Sequence, residues 1–337
     1  MDQASPPPSS ARLRTWLALA LKAAVTLALL GWLVARIDLG AVAARLANLS
    51  PPWTAAALVV FTLQLALAGQ RWALICRAIG APLPPGSVQR LNFIGQFFSQ
   101  TLPSAIGGDA VRAWLASREG LTLAKAIAGV IIDRVVALLV LATVAGVALP
   151  LFFARIPDPG PRAFVVTCVA ATALGLALFL WQGEAVRRWL AAFRPTRPFA
   201  ALAEDLARAL GPGPLRPALL AIALAVHLGV IATAYLLVRA LALEVGILDC
   251  LVLIPPIVLL TMLPISIAGW GVREGAMVVG FGFVGVAAGD ALALSVALGL
   301  AQIAVGLPGG VAWLAAGRPS RRHPERDGPG DAGDERP

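Results

Sequence analysis

The chain has 337 residues, of which 59% are hydrophobic and 13% charged. A soluble domain carries about 25% charge, so a water-soluble globular protein is excluded and an integral membrane protein built of helices is indicated. In such a chain the net charge of +9 marks the cytoplasmic ends of membrane helices and their contact with anionic lipid, and does not point to nucleic acid.

Residues 1–14 form a polar, Pro- and Ser-rich tail expected to be disordered. The apolar run Trp16–Ala35 is about twenty residues long, beyond the roughly 7–15 of a signal peptide, and reads as a retained first span. Lys22 inside it is read as snorkelling to the nearer face. A second span covers Trp53–Ile79, with Gln70, Arg71 and Trp72 placed at its far interface. Gln89–Leu102 would make a helix of about 21 Å, short of the roughly 30 Å hydrocarbon core. Pro103, Gly107 and Gly108 interrupt it, and it resumes at Asp109–Leu115, which reads as a re-entrant hairpin or a broken helix.

The next span, Lys125–Phe153, has Asp133 and Arg134 embedded in apolar sequence, and Ala163–Trp181 follows it. Residues 183–216 read as an Arg-rich, amphipathic cytoplasmic linker broken at Pro195 and Pro198. The second half opens with the span Pro217–Leu243, in which His227 reads as a hydrogen-bonded core residue. Leu251–Leu263 is short, apolar and split by Pro255–Pro256. A second interruption at Pro264, Gly269 and Gly271 ends in Arg273–Glu274. Gly275–Gly289 and Ala291–Ala316 are apolar and separated by Asp290, and residues 317–337 form a charged, disordered tail.

The two interruptions are copies of one stretch. TLPSAIGGDAVR (101–112) and MLPISIAGWGVR (262–273) align without a gap at an offset of 161 residues, with six of twelve positions identical. Paired interruptions in corresponding halves point to the binding site of a repeat-built transporter. The fold expected is therefore all-α: a polytopic membrane domain over 15–316 of about seven to nine segments, with two broken or re-entrant helices. Its repeat halves, about 53–182 and 217–316, are read as inverted. One conflict follows. An inverted second copy, with 275–289 and 291–316 both crossing, puts the tail outside, whereas Arg318, Arg321 and Arg322 argue for inside. Either the second copy crosses fully or one of the last two segments does not.

Charge at membrane depth is confined to Asp109, Arg112, Asp133, Arg134, Arg273 and Glu274. Such residues face a cavity or pair with one another. In one reading they are ion pairs that pin the broken helices. In the other, Arg112, Arg134 and Arg273 present guanidinium forks to a phosphate headgroup, aided by the helix N-terminus near Gly108. Gln96, with Ser99 and Gln100, either lines the same cavity or bonds helix to helix. Most Trp (Trp16, Trp32, Trp53, Trp72, Trp181 and Trp313) read as an interfacial belt, and Trp270 in the second copy is the exception. Cys76, Cys168 and Cys250 form no CxxC and His is scarce, so neither a disulfide framework nor a metal site is expected. There is no Walker loop and no catalytic constellation, so a non-enzymatic protein without a cofactor is expected.

RWALICRAIG, FFSQTLPSAIGGDAVRAWL, VIIDRVVALLVL and LPISIAGWGVREGA, in that order, resemble the flippase-like family, also called the lysylphosphatidylglycerol synthase transmembrane region. The resemblance covers about residues 15–316 and carries over Pro103, Gly107, Gly108, Asp109, Arg112, Asp133, Arg134, Pro264, Gly269, Gly271, Arg273 and Glu274. It implies movement of a phospholipid, aminoacyl-lipid, hopanoid or polyprenyl-linked lipid across a bacterial inner membrane. It also implies anionic or lipid-linked headgroups and lipid-synthesis enzymes as partners. In the multiple peptide resistance factor this domain accompanies an aminoacyl-transferase, which has no counterpart after Ala316, so a stand-alone translocator is expected. The alternative is a membrane enzyme or accessory subunit in synthesis of a lipid-linked sugar or modified phospholipid.

Overall fold

A computed structural model describes residues 37–102, 107–192, 196–262 and 271–315, together with Gly31. The first span with Lys22, the terminal tail, and Pro103, Pro264, Gly269 and Trp270 lie outside the described residues. Every regular element among the described residues is a helix. In chain order they are α1 (Leu39–Ala47), α2 (Pro51–Ala78), α3 (Pro85–Thr101), α4 (Gly107–Arg118), α5 (Leu123–Val147), α6 (Leu149–Arg155), α7 (Pro159–Ala192), α8 (Arg197–Leu210), α9 (Arg216–Ala240), α10 (Ile247–Thr261), α11 (Val272–Gly282) and α12 (Ala288–Ala315). Four of them, α2, α5, α9 and α12, are long and apolar enough to cross a bilayer. The helical membrane class read from composition is therefore borne out.

Local chemistry sets the boundaries. Pro51 and Pro52 occupy the first turn of α2, where no N–H is needed. Its end is closed by Gly80 at φ +73°, with Ala81 N–H bonded to the Cys76 carbonyl at 2.8 Å and Gly80 N–H to that of Arg77 at 3.1 Å. The end of α9 closes the same way, but on Ala242 at φ +54°, with Leu243 N–H to the Val238 carbonyl at 3.1 Å.

The span read over 125–153 divides at Ala148 into α5 and α6, where Pro150 sits in the first turn of α6. Three further boundaries differ from the sequence reading. The span at 163–181 and the first part of the linker form one helix, α7, of 34 residues. Its apolar and amphipathic stretches share one uninterrupted backbone, because Gly183 costs a helix only about 1 kcal/mol. Pro255 and Pro256 lie inside α10 and do not split it; Leu253, Ile254 and Ile257 around them are buried and hold the helix in place. The apolar stretch at 275–289 is not one segment either, since α11 stops at Gly282 and Gly285 turns the chain at φ +82°.

The middle of the bundle is the pair α2 and α9, which share the most extensive helix–helix contact. The next closest pairing is α3 on α12, between halves. It is made possible by Gly306, Gly309 and Gly310: a Cβ at Gly309 would fall 2.0 Å from the Phe93 carbonyl oxygen. On the other side α10 packs against α5. The short helices pair within each half. Gly108 of α4 sits where a Cβ would meet the Gly95 carbonyl oxygen of α3 at 2.2 Å, and Arg90 near the start of α3 pairs with Glu119 just past the end of α4. These contacts make α3 and α4 an antiparallel hairpin. In the second half Gly280 of α11 lies against Leu253 and Ile257 of α10. At 1.5 Å per residue α4 and α11 span only about 18 and 16 Å, well under the roughly 30 Å of a hydrocarbon core.

Amphipathic α8 docks through Ala209, Leu202, Leu206 and Leu210 onto Ile75, Ile79 and Ile132. Lys125 Nζ fixes it by donating to Asp205 Oδ1 at 2.6 Å and to the Ile79 carbonyl at 3.1 Å. Pro198 lies in its first turn, so it starts this helix instead of breaking one.

Candidate functional site

Four helices of the first half meet at a buried charge network. Arg112 of α4 is 5% exposed. Its Nη2 donates to Asp133 Oδ2 at 3.2 Å and to Asp109 Oδ1 at 3.3 Å, and its Nη1 to Asn92 Oδ1 at 3.2 Å. The guanidinium lies 4.7 Å from the centre of the Trp72 ring. Asp133 of α5 also accepts from Arg71 Nε of α2 at 2.7 Å. Asn92 is oriented by donating its Nδ2 to the Leu65 carbonyl at 2.8 Å. Charges this deep are stable only when paired and hydrogen-bonded, and removing one partner of such a pair costs about 3–5 kcal/mol. Arg71, Arg112 and Asp133 therefore fasten α2, α3, α4 and α5 together.

Arg134 differs from its neighbour. Its Nε donates to Asp109 Oδ2 at 2.6 Å, yet its side chain is 52% exposed, against 6% for Arg112. Asp109 stands in the first turn of α4, at the positive end of the helix dipole, so the N-terminus near Gly108 already has its anion. The network holds Arg71, Arg112 and Arg134 against Asp109 and Asp133, an excess of one positive charge.

The second copy builds a smaller, balanced network. Glu274 is 1% exposed and accepts from Gly271 N–H through Oε2 at 2.6 Å, holding the first turn of α11. Gly271 itself is at φ +83°, a conformation that side chains disfavour. Glu274 Oε1 accepts from Arg273 Nη2 at 2.8 Å and from Ser295 Oγ at 3.1 Å. Arg273 also donates from Nε to Ser295 Oγ and from Nη1 to Gln302 Oε1, both at 3.1 Å.

Between the two networks lies a cavity of about 730 Å³. Asp109, Arg134, Gln96 and Gln100 reach it from the first half, and Arg273 and Gln302 from the second. Its apolar wall includes Phe61, Val130, Ile254 and Leu298. Gln64 and Thr233 also line it, and Gln64 Oε1 and Thr233 Oγ1 are buried without a hydrogen-bond partner among the described residues. Buried polar atoms are normally satisfied, so these two are free to bond a polar group that enters the cavity.

Of the residues chosen from sequence, Gln96, Asp109, Arg134 and Arg273 share this cavity. Arg112, Asp133 and Glu274 do not line it; they are buried among their ion pairs. Gly107 and Gly108 open α4 and allow its close approach to α3. Sequence reading missed Asn92, Ser295 and Gln302 as partners and misplaced Arg71 and Trp72. The latter two are 5% and 0% exposed, not interfacial. The available signal was depth: Arg71 lies two turns inside the end of α2, whereas Arg77 is at the end. His227 is a core residue, with Nε2 bonded to the Ala137 carbonyl at 2.9 Å, which makes Nε2 the protonated nitrogen. Among the described residues no three His, Cys, Asp or Glu side chains gather to hold a metal ion.

Residues 19–310 match the family described as the lysylphosphatidylglycerol synthase TM region. The chain belongs to this family. No curated protein matches it. Membership of the lysylphosphatidylglycerol synthase TM region family, together with the long apolar helices, makes this a multi-pass membrane protein related to lipid synthesis or translocation. A cavity with fixed guanidinium and amide groups inside an apolar shell is suited to hold an anion at a depth where water is scarce.

Proposed function

We propose that this member of the family is a non-enzymatic lipid translocator of a bacterial inner membrane. The cavity between the halves takes a phosphate-bearing headgroup while the acyl chains stay in the bilayer. The observation that carries this reading is the meeting of Arg134 and Arg273, one from each half, at one largely apolar cavity among membrane helices. Arg suits the task because its planar fork matches phosphate oxygens in pairs. Arg112, though part of the same motif, serves the scaffold.

The same reading makes the halves an inverted repeat. The series α2, α3, α4, α5 is long, short, short, long, and so is α9, α10, α11, α12. The hairpin α3–α4 then dips in from the cytoplasmic side and α10–α11 from the opposite side. With α11 too short to cross, Asp249 and Asp290 lie outside and the Arg-rich tail lies inside. The conflict in the positive-charge distribution disappears.

The test is purified full chain in liposomes carrying a fluorescent, headgroup-labelled phospholipid in both leaflets. Bleaching from outside is expected to remove the whole signal, where protein-free vesicles lose only the outer half. Recovery of chemically unchanged lipid supports translocation. A new lipid product formed with an aminoacyl or sugar donor would instead establish the enzyme reading.

A further inference from the structure

We propose that the cavity has one lateral doorway, between α4 and α5, and that Arg134 meets the phosphate of a membrane lipid there. This rests on the lipid reading above but names a place and a residue that it leaves open. Among the described cavity-lining residues, Ile131 and Arg134 are the most exposed. Ile131 is 39% exposed. Together with exposed Ile127, one turn earlier, they form a continuous ridge on α5. Beside it α4 turns exposed Ala110 and Trp114 to the same medium.

Among the described residues the matching face of the second half is closed. The positions 161 residues on, Leu292 and Ser295 of α12, are both buried, Ser295 completely. There α1 packs along α12, and Arg45 Nε reaches Asp290 Oδ1 at 2.9 Å.

Depth decides what the doorway admits. Arg134 is the twelfth of 25 residues in α5, about 17 Å from its start, near the middle of a membrane-spanning helix. A bare guanidinium facing hydrocarbon at that depth is disfavoured. Asp109 satisfies Nε alone; Nη1 and Nη2 have no partner among the described residues. Two parallel donors at the mouth fit two oxygens of a phosphodiester. The ridge of Ile127 and Ile131 offers an apolar path for the attached chains. The occupant is therefore a phosphate tethered to acyl or polyprenyl chains, which arrives from the side, within the membrane.

The experiment places a photo-crosslinking benzoylphenylalanine at Ile131 in the full chain, reconstituted in bilayers of equal phosphatidylglycerol and phosphatidylcholine. Leu220 on α9, which is 41% exposed, is the control position. Adducts at Ile131 are expected to be enriched in the anionic lipid by about tenfold, the worth of one charge-assisted hydrogen-bond pair, whereas those at Leu220 follow bulk composition. Arg134→Gln is expected to abolish the enrichment and Arg134→Lys to retain part of it, at unchanged melting temperature. Bulk-like adducts at Ile131, or enrichment that survives Arg134→Gln, would overturn the doorway. Loss of the enrichment on adding millimolar inorganic phosphate would assign the fork to free phosphate and overturn the lipid occupant. The binding readout needs no transport. Enrichment without translocation sinks the translocator and leaves the doorway, whereas translocation without enrichment sinks the doorway alone.

Discussion

Two arginines of similar sequence context part company in the fold. Arg112 is surrounded by Asn92, Asp109, Asp133 and Trp72, and Arg134 by Asp109 and the cavity. Sequence identifies both as charges at membrane depth but cannot say which wall each faces. For Arg112 that depends on how α4 rotates against α3 at the close approach of Gly95 and Gly108, and for Arg134 on how α5 packs against α4. The difference is measurable. Arg112→Ala leaves Asp133 with Arg71 as its close partner, and is expected to cost up to about 3–5 kcal/mol, seen as a lowered melting temperature in detergent. Arg134→Ala, at a half-exposed position, is expected to leave that temperature unchanged. If the two variants melted alike, the division between scaffold and site would fail. Arg71 was hidden for a related reason: its partner Asp133 is 62 residues away, and only the packing of α2 on α5 brings them together.

The elements were the most legible level. Apolar run length located α2, α9 and α12 to within a few residues, because that signal is local, whereas the spans read over 125–153, 163–181 and 275–289 end elsewhere. Where packing outweighs local preference, sequence misled: Pro255 and Pro256 sit within a continuous α10 whose neighbours are buried around it. Close helix approach supplies a sharp prediction. Gly108→Ala places a Cβ 2.2 Å from a backbone oxygen of α3, so the hairpin must open, and little folded protein is expected on size exclusion. Gly275→Ala on α11 meets nothing within 4 Å and is expected to behave as wild type. At the end of α9, Ala242 holds a left-handed conformation that glycine adopts without penalty. Ala242→Gly is therefore expected to raise stability by about 1 kcal/mol in a denaturation series, and destabilisation would contradict the assigned cap.

At the scale of the molecule, the offset of 161 residues belongs to the sequence, and only three dimensions show one cavity lined by residues near both stretches. The inverted arrangement proposed above makes its own prediction. In a background without Cys168, Ala287→Cys between α11 and α12 is expected to react with an impermeant maleimide added outside. Gly213→Cys between α8 and α9 is expected to react only after permeabilisation; labelling of both from one side would break the topology. The account as a whole stands on the cavity being the route of the headgroup. Its most direct measurement is the lipid-bleaching rate in liposomes carrying wild type, Arg134→Ala, Arg273→Lys, which keeps a charge beside buried Glu274 but removes the planar fork, and the double variant. The account predicts that each single variant slows translocation about tenfold or more and that the double variant is indistinguishable from protein-free vesicles. Wild-type rates in the double variant would contradict it.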